Sequence, residues 1–465
     1  MAIATINRVI LWFNEAFQGL AVDVPMAEVE RLALLVHHSL DGKTRTFHTT
    51  EHIFDMCEGM NPVQILAALF HDVVYCQLDG GIARRVAPLL ADVTRTEHGV
   101  LLLQNIRPGD TTTALCADLF GYEPGQALLP HNGMNEFLSA IVAARLLQRH
   151  LSAEQLIAVL ACIEATIFFR VPDANGRTAA DKLALRVQRQ GAKLQAGHSL
   201  SVPDLSAFVK TVVTDAVVLA NRDVAGITEA DPGLCLSNTL LLIEESNVPL
   251  MATGVYSVQE YRGALLRMSG FLSNLSPAFI FQHYDGYPDA GTRLIRGETA
   301  ARNVKFSCDY LDVMLASVAI IEALALSTGS DAPIAMFLGE TTRVPGRLEP
   351  AADFRSVPPS GPHCDTGLLG VLEMGCAPGS RNNRGASSLA AFVYRSMGRD
   401  GIRLALQQAE QLFEGNLSPR AFLLALDCGV VRAIIRACEK NAVSRSAALL
   451  ALESSLYASD DRPQG

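Results

Sequence analysis

The sequence contains few charged residues, and most of those it has are negative. Charged residues make up 18% of the 465 positions, and the 38 lysines and arginines are outnumbered by 48 aspartates and glutamates. A net charge of −10 argues against the basic surface that binding to DNA or RNA requires. We therefore expect no nucleic-acid polymer as a partner. An anionic small molecule stays compatible, provided that a bound cation supplies local positive charge.

Closely spaced cysteine pairs are also missing. The ten cysteines include no Cys-x-x-Cys pair. Structural zinc sites and redox-active dithiols commonly use such pairs, so the sequence argues against both. Scattered single cysteines are typical of a protein in a reducing compartment, and we expect free thiols and a cytoplasmic location.

Long uninterrupted hydrophobic runs are the third absence. The longest apolar stretch, residues 311–326, is short for a transmembrane helix and contains Asp312 and Glu322. The first twenty residues lack the architecture of a secretory signal. We therefore expect no association with a membrane.

Helical periodicity is what the sequence has in abundance. Hydrophobic residues make up 49% of the chain, and alternating strand-like runs are rare. We predict an all-α fold, in which Asn135 caps its helix and residues 282–297 form a solvated connector. The predicted helices cover about residues 24–40, 48–60, 62–72, 135–150, 152–169, 205–221, 233–246, 258–275, 298–328 and 400–455.

Length and composition suggest how the chain divides. A chain of 465 residues exceeds one average hydrophobic core, and residues 329–384 are rich in glycine, proline and serine. We expect one domain over residues 1–328 with its core at about 25–240, then a linker or loop region over 329–384. A C-terminal helical region over 385–465 should follow. Its apolar helices must bury against the core or against a second copy, which would give a homo-oligomer.

Two short segments place three histidines and an aspartate within 25 residues. His48 and His52 are four residues apart, so a helix would place them on one face. His71 and Asp72 are adjacent and follow the apolar run 65–70, where a charge is costly to bury without compensation. Neutral imidazole and carboxylate are good ligands for divalent cations. The pattern therefore predicts a metal site.

These segments resemble those of a known enzyme superfamily. Residues 47–56 are similar to the metal-binding segment of cyclic-nucleotide phosphodiesterases. Arg-Thr-Phe-His at 45–48, followed by Phe-His-Asp-Val-Val-Tyr at 70–75, resembles the predicted metal-dependent phosphohydrolases of the HD superfamily. Asn-Glu-Phe-Leu-Ser-Ala at 135–140 and Asn-Arg-Asp-Val at 221–224 are similar to two further motifs of that family.

The resemblance covers roughly residues 25–320 and implies a ligand set and a division of roles. It implies an HD-type helical bundle, here followed by a C-terminal helical extension. His48 would donate a proton to the leaving oxygen, and Glu136 would hold the metal-bound water that acts as nucleophile. One or two divalent ions of Mn, Mg, Fe, Co or Zn would be bound. The implied metal ligands are His52, His71, Asp72 and Asp223.

The implied function is hydrolysis of a phosphomonoester or phosphodiester of a small molecule, with nucleotides among the candidates. Such hydrolysis needs a nucleophile, neutralisation of phosphoryl charge and a proton for the leaving group, which metal ions and a histidine supply. Family members often carry a histidine after the Ala-Thr of a later helix, where this chain has Ile167. Arg170, three residues on, is therefore a candidate contact for substrate phosphate.

Several alternatives stay open. Asp215 rivals Asp223 as the last ligand, because it lies eight residues earlier in the same predicted helix. Glu136 could be only an acidic residue of a first helical turn, where the helix dipole favours it. His98 and His131 are candidates for the extra ligands of an HD-fold diiron oxygenase. A non-catalytic regulatory protein that keeps the metal for stability is a third reading of function.

Overall fold

Helices account for nearly all of the regular structure of this chain. The computed structural model describes residues 3–197, 204–251, 255–339, 347–348, 363–378 and 383–457. Within them the strands are few and short, so the predicted all-α class is confirmed.

The chain divides into two compact units. The first comprises Met1–Ala225 and Ser276–Glu298, and the second comprises Gly226–Leu275 and Thr299–Gly465. This division differs from the predicted single domain over residues 1–328, because Gly226–Leu275 and the chain from Thr299 onward belong to the second unit.

The first unit contains the helices that precede residue 225 and one β-hairpin. Its hairpin pairs β1 (Thr94–Glu97) with β2 (Val100–Leu103) in antiparallel register. Its helices are α1 (Thr5–Gly19), α2 (Met26–Leu40), α3 (Thr50–Cys57), α4 (Pro62–Phe70), α5 (Cys76–Asp79), α6 (Ala87–Leu90), α7 (Thr111–Phe120), α8 (Met134–Leu147), α9 (Ala153–Ala165), α10 (Ala179–Ala196) and α11 (Leu205–Asp223).

The second unit contains the remaining helices and one short parallel strand pair. That pair joins β3 (Arg347–Leu348) to β4 (Ala386–Ser387). One long helix, α14, starts in the first unit and continues into the second. The helices are α12 (Pro232–Glu245), α13 (Val258–Asn274), α14 (Ala290–Thr328), α15 (Ile334–Leu338), α16 (Thr366–Met374), α17 (Ser388–Phe413), α18 (Pro419–Leu424), α19 (Cys428–Asn441) and α20 (Ser446–Leu456).

Hydrogen bonds between distant residues explain why the part of α14 from Thr299 onward groups with the C-terminal segment of the chain. The hydroxyl of Tyr310 donates to the carbonyl of Gly385 at 3.0 Å. Arg445 donates to the carbonyl of Ala325 at 2.8 Å, across 120 positions of sequence. Composition cannot reveal such partners. The segment 329–384, expected as a linker, also contains the helices α15 and α16.

Helix α9 lies at the centre of the first unit. Every residue from Leu156 to Ala165 is buried, and α9 packs against α4, α8, α10 and α11. A helix that is apolar on all sides is buried on all sides. Its start is determined locally, because Ser152 and Gln155 form a capping box.

Helix α4 carries the predicted His-Asp pair at its end. Asn61 and Gln64 form a capping box and Pro62 occupies the first turn, so the start of the helix is encoded locally. Every residue from Gln64 to Phe70 is buried. The chain therefore delivers His71 from the interior of the unit.

The structure bears on two expectations about the environment of the chain. Helix α14 is long and apolar enough to cross a membrane, but 78% of its most apolar window is buried, as in the core helix of a folded protein. All ten cysteines are free thiols, as expected. The cytoplasmic location and the homo-oligomer stay predictions.

Truncation after residue 328 tests the observed division. The fragment 1–328 keeps α14 but lacks Gly385 and Arg445, which bond Tyr310 and the carbonyl of Ala325 in the intact chain. We expect the fragment to aggregate in size-exclusion chromatography while the full chain elutes as a discrete species. Co-expression of residues 329–465 should restore solubility. A soluble, cooperatively unfolding fragment would contradict this division.

Candidate metal centre

The first predicted histidine lies just before a helix and not on it. Helix α3 begins at Thr50, and its N-cap Thr49 has an extended conformation. The prediction that His48 opens this helix is therefore wrong by two residues, because the backbone is still extended at Thr49 and the helix starts after it. The ring centroids of His48 and His52 are nevertheless only 6.1 Å apart.

His71 is held with one ring nitrogen directed towards carboxylates. Its Nδ1 lies 2.9 Å from the carbonyl of Ala68, and because a carbonyl only accepts, Nδ1 carries the proton of this bond. Its Nε2 lies 2.9 Å from Oδ2 of Asp72 and 3.7 Å from Oδ2 of Asp223. A backbone bond at one nitrogen that leaves the other nitrogen for a ligand is typical of metal-binding histidines.

The structure brings the four predicted ligands together at the end of α4. His52, His71 and Asp72 each offer a ligand atom, and these atoms lie within 4.8 Å of one another. Asp223 completes the group, because its Oδ1 lies 3.0 Å from Nε2 of His52. We call His52, His71, Asp72 and Asp223 the ligand cluster.

The ligand cluster contains buried polar atoms that the protein leaves unsatisfied. Nε2 of His52, Nε2 of His71 and Oδ2 of Asp72 are buried. Each lies within 3.0 Å of an oppositely charged or polar atom of the cluster, but none of them has a well-directed hydrogen bond among the described residues. Unpaired buried polar atoms are rare because each costs desolvation free energy. Imidazole nitrogen and carboxylate oxygen are donors that first-row divalent cations accept well. The residues of the cluster therefore fit a divalent cation.

The electrostatics of the cluster favour positive charge at its centre. Burial by itself lowers the pKa of His71, but the carboxylates of Asp72 and Asp223 outweigh it and raise the pKa to about 10. Burial raises the pKa of Asp72, but the neighbouring His71 and His48 hold it well below its usual range. The carboxylates thus stabilise either a proton on His71 or a cation in its place. A cation has to displace that proton, because histidine binds metal through an unprotonated nitrogen.

The two rival aspartates of α11 lie at different ends of α4. The backbone carbonyl of Asp215 accepts a bond of 2.9 Å from the side chain of Gln64, in the first turn of α4. Asp223 is the last residue of α11 and lies against His52 and His71. Eight helical residues span about 12 Å, which keeps the two aspartates well apart. Asp223 is therefore the aspartate that belongs to the cluster.

Glu136 faces the cluster from the first turn of α8. Its Oε2 is buried and has no hydrogen-bond partner in the described part of the chain. Burial raises the pKa of Glu136 to about 7, and the carboxylates of Asp72 and Asp223 act in the same direction. The helix dipole favours an acidic residue in a first turn, but it does not explain why Glu136 is placed beside two other carboxylates. The orphaned oxygen suits a hydrogen bond from a water molecule in the site.

Helix α8 also fixes the backbone that follows the His-Asp pair. Oδ1 of Asn135 accepts from the N–H of Cys76 at 3.1 Å, and Oγ of Ser139 accepts from the N–H of Val74 at 3.0 Å. The N-cap of α8 is Gly133, so the prediction that Asn135 caps this helix is wrong. Sequence reasoning missed this bracing role. The four-residue spacing of Asn135 and Ser139, which places them on one helix face, is the signal that could have found it.

A loop expected to be a solvated connector instead closes against α11. The N–H of Gln282 donates to the side chain of Asn221 at 2.8 Å, and Asn221 donates back to the carbonyl of Gln282 at 2.9 Å. The side chain of Gln282 also donates to the carbonyl of Ala165 at 2.5 Å, where α9 ends. The prediction is thus wrong for this part of the loop. These bonds fix the chain two residues before Asp223.

Arg170 lies on the Glu136 side of the cluster, but most of its hydrogen-bonding capacity is used. The electrostatic partners of Arg170 include Glu136. Its Nη1 and Nη2 bond to the fully buried carboxylate of Glu164 at 2.5 and 3.3 Å, and Arg186 binds the same carboxylate at 2.7 Å. Nε of Arg170 is buried and has no hydrogen-bond partner among the described residues. A contact with substrate phosphate stays a prediction, and Nε is the atom that could make it.

The two histidines of the oxygenase alternative lie outside the cluster. His98 is exposed at the turn between β1 and β2, where its φ is +49°. His131 is exposed in the segment before α8. Neither belongs to the group of described residues that could hold an ion. Among the described residues, His98 and His131 therefore do not join the ligand cluster.

Comparison with known proteins leaves the site to be understood from its own residues. No family model, curated protein or solved structure matches the chain. The resemblance to the HD superfamily therefore rests on the motifs alone.

Replacing Asp223 should remove bound metal, whereas replacing Asp215 should not. Asp223 lies against both histidines of the cluster, while Asp215 is joined to the far end of α4. We expect Asp223→Ala to raise the Kd for Mn²⁺ by ~100-fold or more, since even residues that only orient a ligand change metal affinity by 10–100-fold. Elemental analysis after dialysis against Mn²⁺, with the thermal midpoint measured in parallel, checks this. Equal metal content in the two variants would remove Asp223 from the ligand set.

Proposed function

We propose that the chain is a metal-dependent phosphohydrolase of the HD type that cleaves a phosphate ester of a small molecule. The observation that carries the proposal is the buried ligand cluster, in which two histidines and two aspartates meet with unsatisfied donor atoms. Phosphomonoesters and phosphodiesters, nucleotides included, are the candidate substrates. One or two ions of Mn, Mg, Fe, Co or Zn suit this donor set.

The proposed ligands match a divalent ion in charge. A divalent cation, when bound, neutralises charge on the phosphoryl oxygens and activates a water as nucleophile. Asp72 and Asp223 together carry two negative charges, which balance such an ion within a buried environment and offset the cost of burying it. His52 and His71 supply neutral nitrogen donors, so they complete the set without adding charge.

His48 is the proposed proton donor to the leaving group. Its ring lies beside the cluster. The centroid of the His48 ring is 4.7 Å from that of Tyr75 and 6.1 Å from that of His52. His48 is half-buried and lies outside the group that could hold the ion. Imidazole titrates near neutral pH, which is the range that general acid catalysis requires.

Glu136 is proposed to orient the attacking water. The unsatisfied Oε2 offers a hydrogen-bond acceptor beside Asp72 and His71. Burial raises the pKa of this carboxyl, and its unpaired oxygen can accept a hydrogen bond from that water. Its position on α8 is rigid, because Asn135 and Ser139 bond the same helix to the segment after Asp72.

A substrate panel tests the proposal directly. Phosphomonoesters, linear and cyclic phosphodiesters and nucleotides should each be incubated with wild-type protein and Mn²⁺, Mg²⁺, Fe²⁺, Co²⁺ or Zn²⁺. We expect release of phosphate or of a phosphomonoester from one substrate class, and none by Asp72→Ala. A wild type that holds stoichiometric metal but hydrolyses nothing would favour the non-catalytic reading. Oxygen consumption with Fe²⁺ in place of hydrolysis would favour an oxygenase.

Substitution of the two motif histidines should separate their roles. We expect His48→Ala to keep its metal and to lower kcat by about 10²–10⁴, the effect of losing a general acid. His52→Ala should lose both metal and activity, because His52 contributes a buried ligand atom. Elemental analysis and steady-state kinetics measure both effects. The exposed His131 gives the control, since His131→Ala should change neither. Equal metal loss in the His48 and His52 variants would make His48 a ligand.

A further inference from the structure

The buried side chain of Arg45 joins the two halves of the metal-binding motif. Arg45 lies three residues before His48, and its side chain is 0% exposed. Its Nη1 donates to the backbone carbonyl of Asp72 at 2.7 Å. Its Nη2 and Nε bond to the carboxylate of Asp79 at 3.0 and 3.4 Å. One guanidinium thus holds the segment that carries Asp72 against the segment that carries His48.

Asp79 is the counter-ion that compensates the burial of the Arg45 guanidinium. A buried guanidinium is strongly unfavourable unless it is paired and its N–H groups are bonded. Asp79 is the last residue of α5, its side chain is 14% exposed, and it accepts two of the bonds from Arg45. The fork shape of the guanidinium allows it to reach a carboxylate and a carbonyl at once.

Arg45 bonds the main chain of Asp72 and leaves its carboxylate to the cluster. Among the described residues Arg45 is paired with Asp79, while Oδ2 of Asp72 lies 2.9 Å from Nε2 of His71. The Arg45 guanidinium therefore fixes the position of the Asp72 backbone and leaves the carboxylate oxygens of Asp72 to the ligand cluster. Arg45 also lies over the ring of Tyr75 at 5.9 Å, and that ring packs against His48 at 4.7 Å.

We propose that Arg45 is a positioning residue that fixes the ligand Asp72 relative to the proton donor His48. This inference rests on the proposed function, because it concerns the same site. The fixed donors of arginine make the substitution by lysine informative. Lysine keeps the charge but lacks the planar fork, so it cannot reproduce the carbonyl bond and the two-point carboxylate pair together.

A second arginine of the same unit provides a matched control. Arg145 donates to the carbonyl of Leu89 at 2.7 Å and binds the carboxylates of Asp92 and Asp110 at 2.6 and 2.7 Å. Its side chain is 15% exposed. Like Arg45, it joins a carbonyl to carboxylates in the interior, but none of these partners belongs to the ligand cluster. Loss of either arginine should lower thermal stability, and only loss of Arg45 should disturb the metal site.

Cobalt binding by the full-length chain tests the proposal without relying on turnover. Co²⁺ is titrated into metal-stripped wild type, Arg45→Met, Arg45→Lys, Asp79→Asn and Arg145→Met, below the melting temperature of every variant. We expect Arg45→Met to raise the Kd for Co²⁺ by ~10–100-fold and to change the visible absorption spectrum, as for loss of residues that orient a ligand. Arg45→Lys and Asp79→Asn should show smaller changes of the same kind. Arg145→Met should keep the wild-type Kd and spectrum.

The outcomes separate this inference from the proposed function. Wild-type affinity and spectrum in Arg45→Met would overturn the role of Arg45, as would an equal loss of affinity in Arg145→Met. If Arg45→Met does not fold, wild-type binding by both Arg45→Lys and Asp79→Asn would overturn it. A wild type that binds Co²⁺ and hydrolyses no phosphate ester refutes the hydrolase, while weakened binding in the Arg45 variants still supports the positioning role. A wild type that binds no Co²⁺ overturns both.

Discussion

The burial of an ionisable His-Asp pair at the end of an apolar helix is the constraint on which the rest of the site depends. Helix α4 is buried from Gln64 to Phe70, so His71 and Asp72 emerge inside the unit and not at its surface. Removing an ionised carboxylate from water costs several kcal/mol unless other charges or hydrogen bonds compensate it. The chain places further imidazole and carboxylate groups around the pair, and the result is a cluster of side chains that could hold a cation.

A comparison within the same unit shows that the chain neutralises buried carboxylates in two ways. Glu164 is fully buried and is bound by two arginines, Arg170 and Arg186, which leaves it paired on both sides. At the ligand cluster the neighbours of the Asp72 carboxylate are histidines instead, and Arg45 bonds the backbone carbonyl of Asp72. An arginine cannot give up its proton at neutral pH, whereas a histidine can and then binds metal. The first arrangement is a closed ion pair, and the second is open to an ion.

Each element that carries a ligand is held by a hydrogen bond from another part of the chain. The segment after Asp72 is fixed by side chains of α8, and the end of α11 is fixed by Gln282. Arg222, next to Asp223, donates two bonds of 2.9 and 2.7 Å to the carbonyl of Asp55, which joins the end of α11 to α3 and so to His52. Such bonds hold the side chains of the cluster in place, which lowers the free energy that binding of a cation would need for ordering them.

The sequence by itself determined the all-α class, the start of α4 and the position of the His-Asp pair, because capping boxes and apolar periodicity act within a few residues. Helical periodicity alone could not choose between Asp215 and Asp223. Eight residues rotate a helix by two full turns plus about 80°, so the two side chains lie on neighbouring faces of α11. Docking of α11 along α4 made that choice, as it placed Asp215 at the start of α4 and Asp223 at its end. The partners of Arg45 and Gln282, and the grouping of α14 with the C-terminal helices, were likewise decided by tertiary structure. They depend on bonds between residues that are 27 to 120 positions apart, for which no local pattern exists.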